Sequence, residues 1–378
     1  MERLSLLESM VIAGALLAVV VAAVAWIGRD ARRFAWLARF AAGFAFVVVV
    51  VGAFVRLTDA GLGCPDWPGC YGDLTPASAH HAIAQEEAAQ PFGPVTMAKA
   101  WKEMFHRYIA GLLGATLVAL AVAAWRARAA WQRSPWLPTA VVGVVMLQGA
   151  FGAWTVTLLL KPAIVTGHLI GGMLTLSMLA WVALSAGPQP RFAAPERLTA
   201  LRPLAFAALA VVVVQIMLGG WTSTNYAALA CTDWPSCQGV AVPPMQFGDA
   251  FHLLRPLGTT ADGAALPFEA LTAIHWTHRS FAYLALAIGL AFAWRLRRAP
   301  ELRAYGNALM LLLCVQAGLG ISNVLLQLPL PVAVAHNAGA ALTLLCLVAI
   351  HQRLALAARQ ARGLAPARNA WPRERLTA

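Results

Sequence analysis

Charge is what this chain has least of. Only 12% of its 378 residues are Asp, Glu, Lys or Arg, while 60% are hydrophobic. A soluble domain carries ~45–50% apolar and ~25% charged residues. A soluble enzyme, a disordered chain and a nucleic-acid binder are therefore excluded. Lysine is scarcer still, with Lys99, Lys102 and Lys161 set against 25 Arg. The net charge of +12 does not bring nucleic acid back as a partner, because membrane proteins gather their basic residues in cytoplasmic loops. Cysteine, at six residues, is too sparse for a disulfide scaffold, so only its spacing informs. What remains is an all-α, polytopic membrane protein whose first partner is the lipid bilayer.

A bilayer core needs roughly 20 apolar residues per helix. Windows of that size predict nine spans, near residues 9–27, 36–55, 105–124, 137–159, 163–185, 203–222, 275–294, 305–327 and 331–352. The first lacks the basic start and the small-residue cleavage site of a signal peptide, and reads as a retained helix. Alternate loops hold Arg29, Arg32, Arg33; Arg126, Arg128, Arg133; Arg191, Arg197, Arg202; and Arg295, Arg297, Arg298, Arg303. The tail adds Arg353, Arg359, Arg362, Arg368, Arg373 and Arg375, which brings 19 of the 28 basic residues to one side. The positive-inside rule makes that side cytoplasmic, together with the C-terminus. The long loops at about 56–104 and 223–274, and the N-terminus, then face outward.

Those two loops repeat each other. Cys64-Pro-Asp-Trp-Pro-Gly-Cys70 and Cys231-Thr-Asp-Trp-Pro-Ser-Cys237 are offset by 167 residues. The following spans begin with His106-Arg107 and His278-Arg279, and His168 and His336 come two helices later. Gln148 and Gln316 lie twenty residues before the latter pair, each followed four residues on by a glycine, Gly152 and Gly320. Landmarks in one order at near-constant offset imply tandem duplicated four-helix bundles, eight core helices in all, plus one extra N-terminal helix. The expected domains are 1–35 (extra helix and cytoplasmic loop), 36–185 (first repeat), 186–202 (cytoplasmic linker), 203–352 (second repeat) and 353–378 (basic tail). An even helix number gives both repeats one orientation, paired about an axis along the membrane normal.

Ionisable residues inside membrane helices are costly and default to function. His106, His168, His278 and His336 all fall near the outer ends of their spans. Two imidazoles facing across a bundle ligate an iron from both axial sides. A lone His would read as an interfacial, hydrogen-bonded residue, but two pairs at equivalent positions favour two haem sites. Zinc is disfavoured because no carboxylate or Cys clusters beside these residues. The repeats differ where Glu103 precedes His106 and His275 precedes His278. Glu103 shares a helix face with His106, which suggests chemistry at one site and electron transfer at the other. The alternative is a carboxylate that merely favours a helix N-terminus. Arg107 and Arg279 suit haem propionates or lipid headgroups. The Cys64–Cys70 and Cys231–Cys237 pairs lie on the oxidising side, where disulfides persist, as staples or, in the first repeat, as a redox pair. Cys314 and Cys346 read as inert core residues. His80, His81, His252 and His351 have no repeat partner and read as solvated, with His80-His81 a conceivable metal pair.

This constellation resembles haem A synthase over about 36–352, through Glu103-x-x-His106-Arg107, His168, His278-Arg279, His336 and both Cys-x5-Cys loops. The segment that opens at Arg56 also looks like that family's first outer loop. The resemblance implies an oxidoreductase that converts the C8 methyl of haem O to a formyl, giving haem A for cytochrome oxidase. It implies that His106 and His168 hold the substrate haem and that His278 and His336 hold a haem b cofactor. It gives Glu103 a part in the chemistry and links Cys64–Cys70 to activity, by passing electrons. It further implies a bacterial inner-membrane location, a haem O synthase as partner, and an electron donor or acceptor that the sequence leaves unidentified. A homo-oligomer is compatible with this reading. The extra N-terminal helix and the outer segment at about 72–100 depart from the plainest family pattern, and His275 stands as a rival ligand to His278. Three other classes compete. They are a bis-His cytochrome b carrying quinol electrons, a membrane thiol oxidase, and a transporter, which should show broken helices or midplane charges.

Overall fold

In the computed structural model, residues 2–28, 30–131 and 134–364 are described. Arg29, Arg133, Arg368, Arg373 and Arg375 lie outside them. Among the described residues twelve α-helices follow one another: α1 (Glu2–Ile27), α2 (Ala31–Leu57), α3 (His80–Ala89), α4 (Met97–Trp131), α5 (Trp136–Thr157), α6 (Pro162–Ala186), α7 (Pro195–Thr199), α8 (Arg202–Thr224), α9 (Phe247–Ala250), α10 (Phe268–Arg297), α11 (Arg303–Leu325) and α12 (Leu330–Ala361). Among the described residues there are no strands, only three isolated bridges. Eight of the helices are long and apolar enough to cross a membrane, and Gly14–Ile27 of α1 is a shorter apolar stretch. The protein is a multi-pass helical membrane protein, as the apolar windows predict. Backbone groups have no water to bond in hydrocarbon, so helices satisfy them internally. Chemistry at the ends sets the boundaries. Asp30 accepts the Arg32 N–H at 2.7 Å to cap α2, and Pro162, Pro203 and Pro331 occupy first turns, where a missing N–H costs nothing.

Among the ring helices, three overrun the apolar windows by about two turns or more. α4 starts at Met97 and α10 at Phe268, each about two turns before its predicted span. The Thr96 hydroxyl caps α4 through the Lys99 N–H at 3.2 Å, and the added turns bury Ala100 and Met104 against the Cys64 loop. A hydropathy window misses such turns because their other faces are polar. α12 runs on to Ala361 because Leu354, Leu356, Ala357 and Ala358 are buried, so Arg353 and Arg359 stand on a helix. That extension also grips the segment before α8. Gln360 donates to the Pro190 carbonyl at 2.8 Å and accepts the Phe192 N–H at 3.0 Å, while Gln352 donates to Gln189 at 3.0 Å.

Helices α2, α4, α5 and α6 pack in a closed ring, each touching the next, and α8, α10, α11 and α12 form a second ring in the same order. The rings meet where α6 lies against α12, flanked by α6 on α8 and by α12 on α2. Those flanking contacts exchange under a half-turn that carries α2 to α8 and α6 to α12. Helix α1 packs outside, on α4 and α2. One apolar core runs through both rings, and a small satellite core sits under each long loop. Under the first loop Ile83 of α3 is fully buried beside Cys64 and Cys70. Under the second, Trp221 donates to the Ala250 carbonyl at 2.8 Å.

The second satellite core also holds a cation. Arg255 is 1% exposed and donates to the Asp249 carbonyl at 3.0 Å and to the Asn225 side-chain oxygen at 2.5 Å. No motif marks Arg255, which has no counterpart in the first loop. A hydrogen bond to a charged group contributes about 1.5–3 kcal/mol. Asn225→Leu is therefore expected to lower the melting temperature of the detergent-solubilised protein by a few degrees. An unchanged melting curve would show that Arg255 is satisfied without it.

Candidate functional site

Every predicted site residue lies at one end of the rings, the end covered by the long loops. His106 stands on α4, His168 on α6, His278 on α10 and His336 on α12, all half-buried. Each ring lies against a glycine of a neighbouring helix. A methyl group added at Gly52 would sit 2.9 Å from His106 Cε1, and one at Gly219 would sit 3.0 Å from His278 Cε1. The same addition at Gly152 and Gly320 would come to 3.5 Å from His168 and 3.2 Å from His336. Gly52 and Gly219 are offset by 167 residues, Gly152 and Gly320 by 168. Any larger residue at Gly52 or Gly219 would displace the imidazole, so these close approaches set how the rings lie. Gln148 and Gln316 serve the same end from the side, packing so closely on Gly171 and Gly339 that a Cβ there would push their amides aside. Gln316 also donates to the His336 carbonyl at 2.9 Å.

The imidazoles work as pairs. His106 and His168 are near enough to act on each other electrostatically, as are His278 and His336. The Nδ1 atoms of His106, His168 and His336 are buried; the backbone carbonyls of Gln148 and Gln316 face the His168 and His336 rings, and among the described residues His106 Nδ1 has no hydrogen-bond partner. Two neutral imidazoles meeting across a bundle are the donor set that a haem iron takes from both axial sides. The residues of both rings fit such a group. Among the described residues no cluster of three or more His, Cys, Asp or Glu gathers for another metal. His80 and His81 make only an edge-on ring contact at 5.4 Å, and His351 bonds the Ala205 carbonyl at 3.0 Å.

Above each pair sits a disulfide loop, Cys64–Cys70 in the first half and Cys231–Cys237 in the second. Asp66 accepts the N–H groups of Tyr71 at 2.6 Å and Gly72 at 2.8 Å, closing its loop. Asp233 does the same with Gln238 at 2.7 Å and Gly239 at 3.0 Å. The Ser236 hydroxyl, with these N–H groups, holds the Asp233 carboxyl down at about 2. A depressed carboxyl contributes stability above its unfolded value, and loses it only as pH falls through the folded one. Acid is therefore expected to release only the Asp233 clasp, as pH falls toward about 2, while the Cys231–Cys237 disulfide still closes the loop.

The loops are tied to the helices one turn before the His pairs. Glu103 is 5% exposed; its Oε2 accepts the Cys64 N–H at 2.9 Å and its Oε1 pairs with Arg107 at 2.6 Å. His275 takes the equivalent place and accepts the Cys231 N–H on Nδ1 at 3.1 Å. His275 is thus committed to the loop, while His278 stands against Gly219 near His336. Arg107 donates from Nη1 to the carbonyls of Asp66 at 2.9 Å and Gly69 at 2.5 Å. Arg279 reaches Ser236 at 3.0 Å and Pro235 at 3.2 Å from Nη2 and leaves Nη1 buried without a partner. Of the two guanidinium groups sought for a propionate, that of Arg279 keeps a buried terminal nitrogen without a partner, whereas both terminal nitrogens of Arg107 are engaged. Cys346 is half-buried, but Cys314 faces outward on α11 and is not a core residue.

Sequence reasoning overlooked Gly52 and Gly219, whose only signal is a glycine at equivalent places in two apolar helices. It also overlooked Gln215, the lone polar residue in the apolar centre of α8. Gln215 Nε2 lies 3.1 Å from both the Nδ1 and the carbonyl oxygen of His278.

Paired imidazoles in two matching helical rings, each under a disulfide loop, define an integral-membrane protein with two equivalent intramembrane sites that differ at one carboxylate. The chain belongs to the cytochrome oxidase assembly protein family COX15-CtaA, whose model matches residues 35–348. It is 41% identical over 305 residues to a protein named Heme A synthase from Shewanella oneidensis, covering 81% of this chain and 92% of that one. Proteins of the same name from Caulobacter sp. and Rhizorhabdus wittichii are each 31% identical. The alignments cover 79% and 80% of this chain, and 89% and 88% of theirs.

Proposed function

We propose that this chain is a haem A synthase, an oxidoreductase of haem A biosynthesis that oxidises the C8 methyl of haem O to a formyl group. The observation that carries this reading is the pair of His sites joined to a single asymmetry, Glu103 against His275. His106 and His168 would hold haem O as substrate, and His278 and His336 would hold haem b. The haem iron supplies the oxidising power that no side chain has. The protein's own part is to orient and to manage protons. Gly52 and Gly152 set the His106 and His168 rings, and so fix which edge of the substrate meets α4. Glu103, one turn from His106, is the carboxylate that takes up or returns protons as the methyl is oxidised. Its bonds to Arg107 and Cys64 hold it under the loop, so the state of Cys64–Cys70 acts on the reaction through its position. Arg279 Nη1 is the donor for a haem b propionate. The arginine-rich end faces the cytoplasm of a bacterial inner membrane and the loops face outward. A haem O synthase delivers the substrate.

An electron-transfer cytochrome needs both His pairs but has no use for Glu103. The deciding experiment is haem extraction and chromatography from a host that makes haem O and no haem A, with and without the protein. Haem A or its hydroxylated precursor is expected only with it, and Glu103→Ala is expected to keep haem bound while stopping oxidation. Unchanged haem O, where a known synthase works in parallel, would sink the enzyme reading.

A further inference from the structure

We infer that a cleft between the two rings, at their arginine-rich end, binds one anionic phospholipid whose phosphate pairs with Arg202 and whose acyl chain lies between the rings. The inference is independent of the haem reading.

Helices α5 and α6 of the first ring and α8 and α12 of the second enclose a cleft of about 480 Å³. It lies at the end of the rings away from the His pairs. On α8 it runs from Arg202 to Leu209, roughly 10 Å of helix at 1.5 Å per residue. Met178, Trp181 and Phe206 give it apolar and aromatic walls. Such walls accept any hydrocarbon, so the few polar groups decide the occupant.

Four side chains that carry an N–H or O–H line the cleft. Two are engaged within the protein: the Ser177 hydroxyl donates to the Met173 carbonyl at 2.7 Å, and His351 Nε2 donates to the Ala205 carbonyl at 3.0 Å. The other two are the guanidinium of Arg202 and the indole N–H of Trp181, which can only donate. Arg202 lies over the Phe206 ring, 6.0 Å from its centre, and among the described residues no carboxylate pairs with it. A cation without a counter-ion at the mouth of an apolar cleft calls for an anion with a hydrocarbon tail. A phosphate takes the fork of guanidinium N–H groups, and basic pockets between membrane helices are where anionic lipid head groups bind.

The cleft has no twin, although the rings repeat. Offsets of 167 on α8 and 168 on α12 put Ala35 in the place of Arg202 and Ala183 in the place of His351. Both alanines are buried in the main core. Arg39, which matches Phe206, reaches over Gly187, where an added methyl would sit 3.0 Å from its guanidinium. Packing closes the seam on that side, so the opening beside Arg202 is a feature of its own residues and not of the ring geometry.

The test uses the full chain, delipidated in detergent, with dioleoylphosphatidylglycerol and dioleoylphosphatidylcholine as probes. Bound lipid is counted by native mass spectrometry, and the melting temperature is followed in parallel. The wild type is expected to hold one phosphatidylglycerol in preference and to melt higher with it, since a ligand of the folded state stabilises that state. One basic side chain beside an anionic head group changes affinity about fivefold. Arg202→Gln should weaken phosphatidylglycerol binding by about that factor, and Arg202→Lys by much less. Ala355→Phe, which puts a ring into the cleft, should reduce binding of both lipids; if it does not fold, the charge variants decide alone. Arg298 lies over Trp294 at the same end but outside the cleft, and Arg298→Gln should bind as wild type does. Equal retention of the two lipids, equal losses in Arg202→Gln and Arg298→Gln, or full binding by a folded Ala355→Phe would overturn the inference. A quinone co-purifying in place of the lipid would overturn it too.

Discussion

Protein carrying both His278→Ala and His336→Ala is expected to purify without low-spin haem, whereas the His106→Ala/His168→Ala double variant keeps that haem and forms no haem A. The expectation follows from the separation of the pairs into two rings. Each bundle closes on itself through four consecutive helix contacts, so removing imidazoles from one ring leaves the glycine walls and glutamine braces of the other in place. Alanine is also mild here, since all four His are only half-buried and truncation opens space without leaving a strained contact. Difference spectra of the reduced proteins, with haem quantified by extraction, give the answer directly. Equal loss of haem from both double variants would mean that the two sites are not divided as resident and substrate sites.

The second large effect is steric. Gly52→Leu should abolish haem A formation while leaving the resident haem untouched, and Gly219→Leu should expel the resident haem. Even a first added carbon at Gly52 meets the His106 ring at 2.9 Å, and three more carbons extend into the same space. Overpacking of this kind costs about 1–3 kcal/mol in a core, which the protein can avoid by turning the imidazole away. Folding is then spared and ligation lost. Gly14 and Gly111, where an added carbon meets nothing within 4 Å, provide the controls. Gly111→Leu should behave as wild type in both assays. A fully active Gly52→Leu protein would show that the His106 ring does not need that wall.

The spans and the intramembrane positions of the four His were legible because lipid imposes a simple rule on sequence. Residues 137–159 and 163–185 were placed within two residues of α5 and α6, since no Asp, Glu, Lys or Arg interrupts those windows. The starts of α4 and α10 escaped because their first turns are amphipathic, and the end of α12 escaped because its buried Leu354, Leu356, Ala357 and Ala358 stand among Arg353, Arg359 and Gln360. Within the site, residue types that are rare in membranes announced themselves, as Glu103 and the His did. Gly52, Gly219 and Gln215 did not, because their parts depend on which neighbouring ring they meet. Arg107 is visible in the sequence for its place beside His106, but its partners are not: its terminal nitrogens meet Glu103 and the carbonyls of the Cys64 loop.

The half-turn between the rings has a consequence for how such a chain can arise. The contact of α6 with α12 lies on the axis, and the contacts flanking it are interchangeable. A four-helix chain with a surface like that of α6 would be self-complementary, and two copies would close as an isologous dimer. Joining the copies by the segment that Gln352 and Gln360 now clasp would fix the pair at a one-to-one ratio and release each half from sameness. Glu103 could then diverge from His275, giving one symmetric shell two different sites.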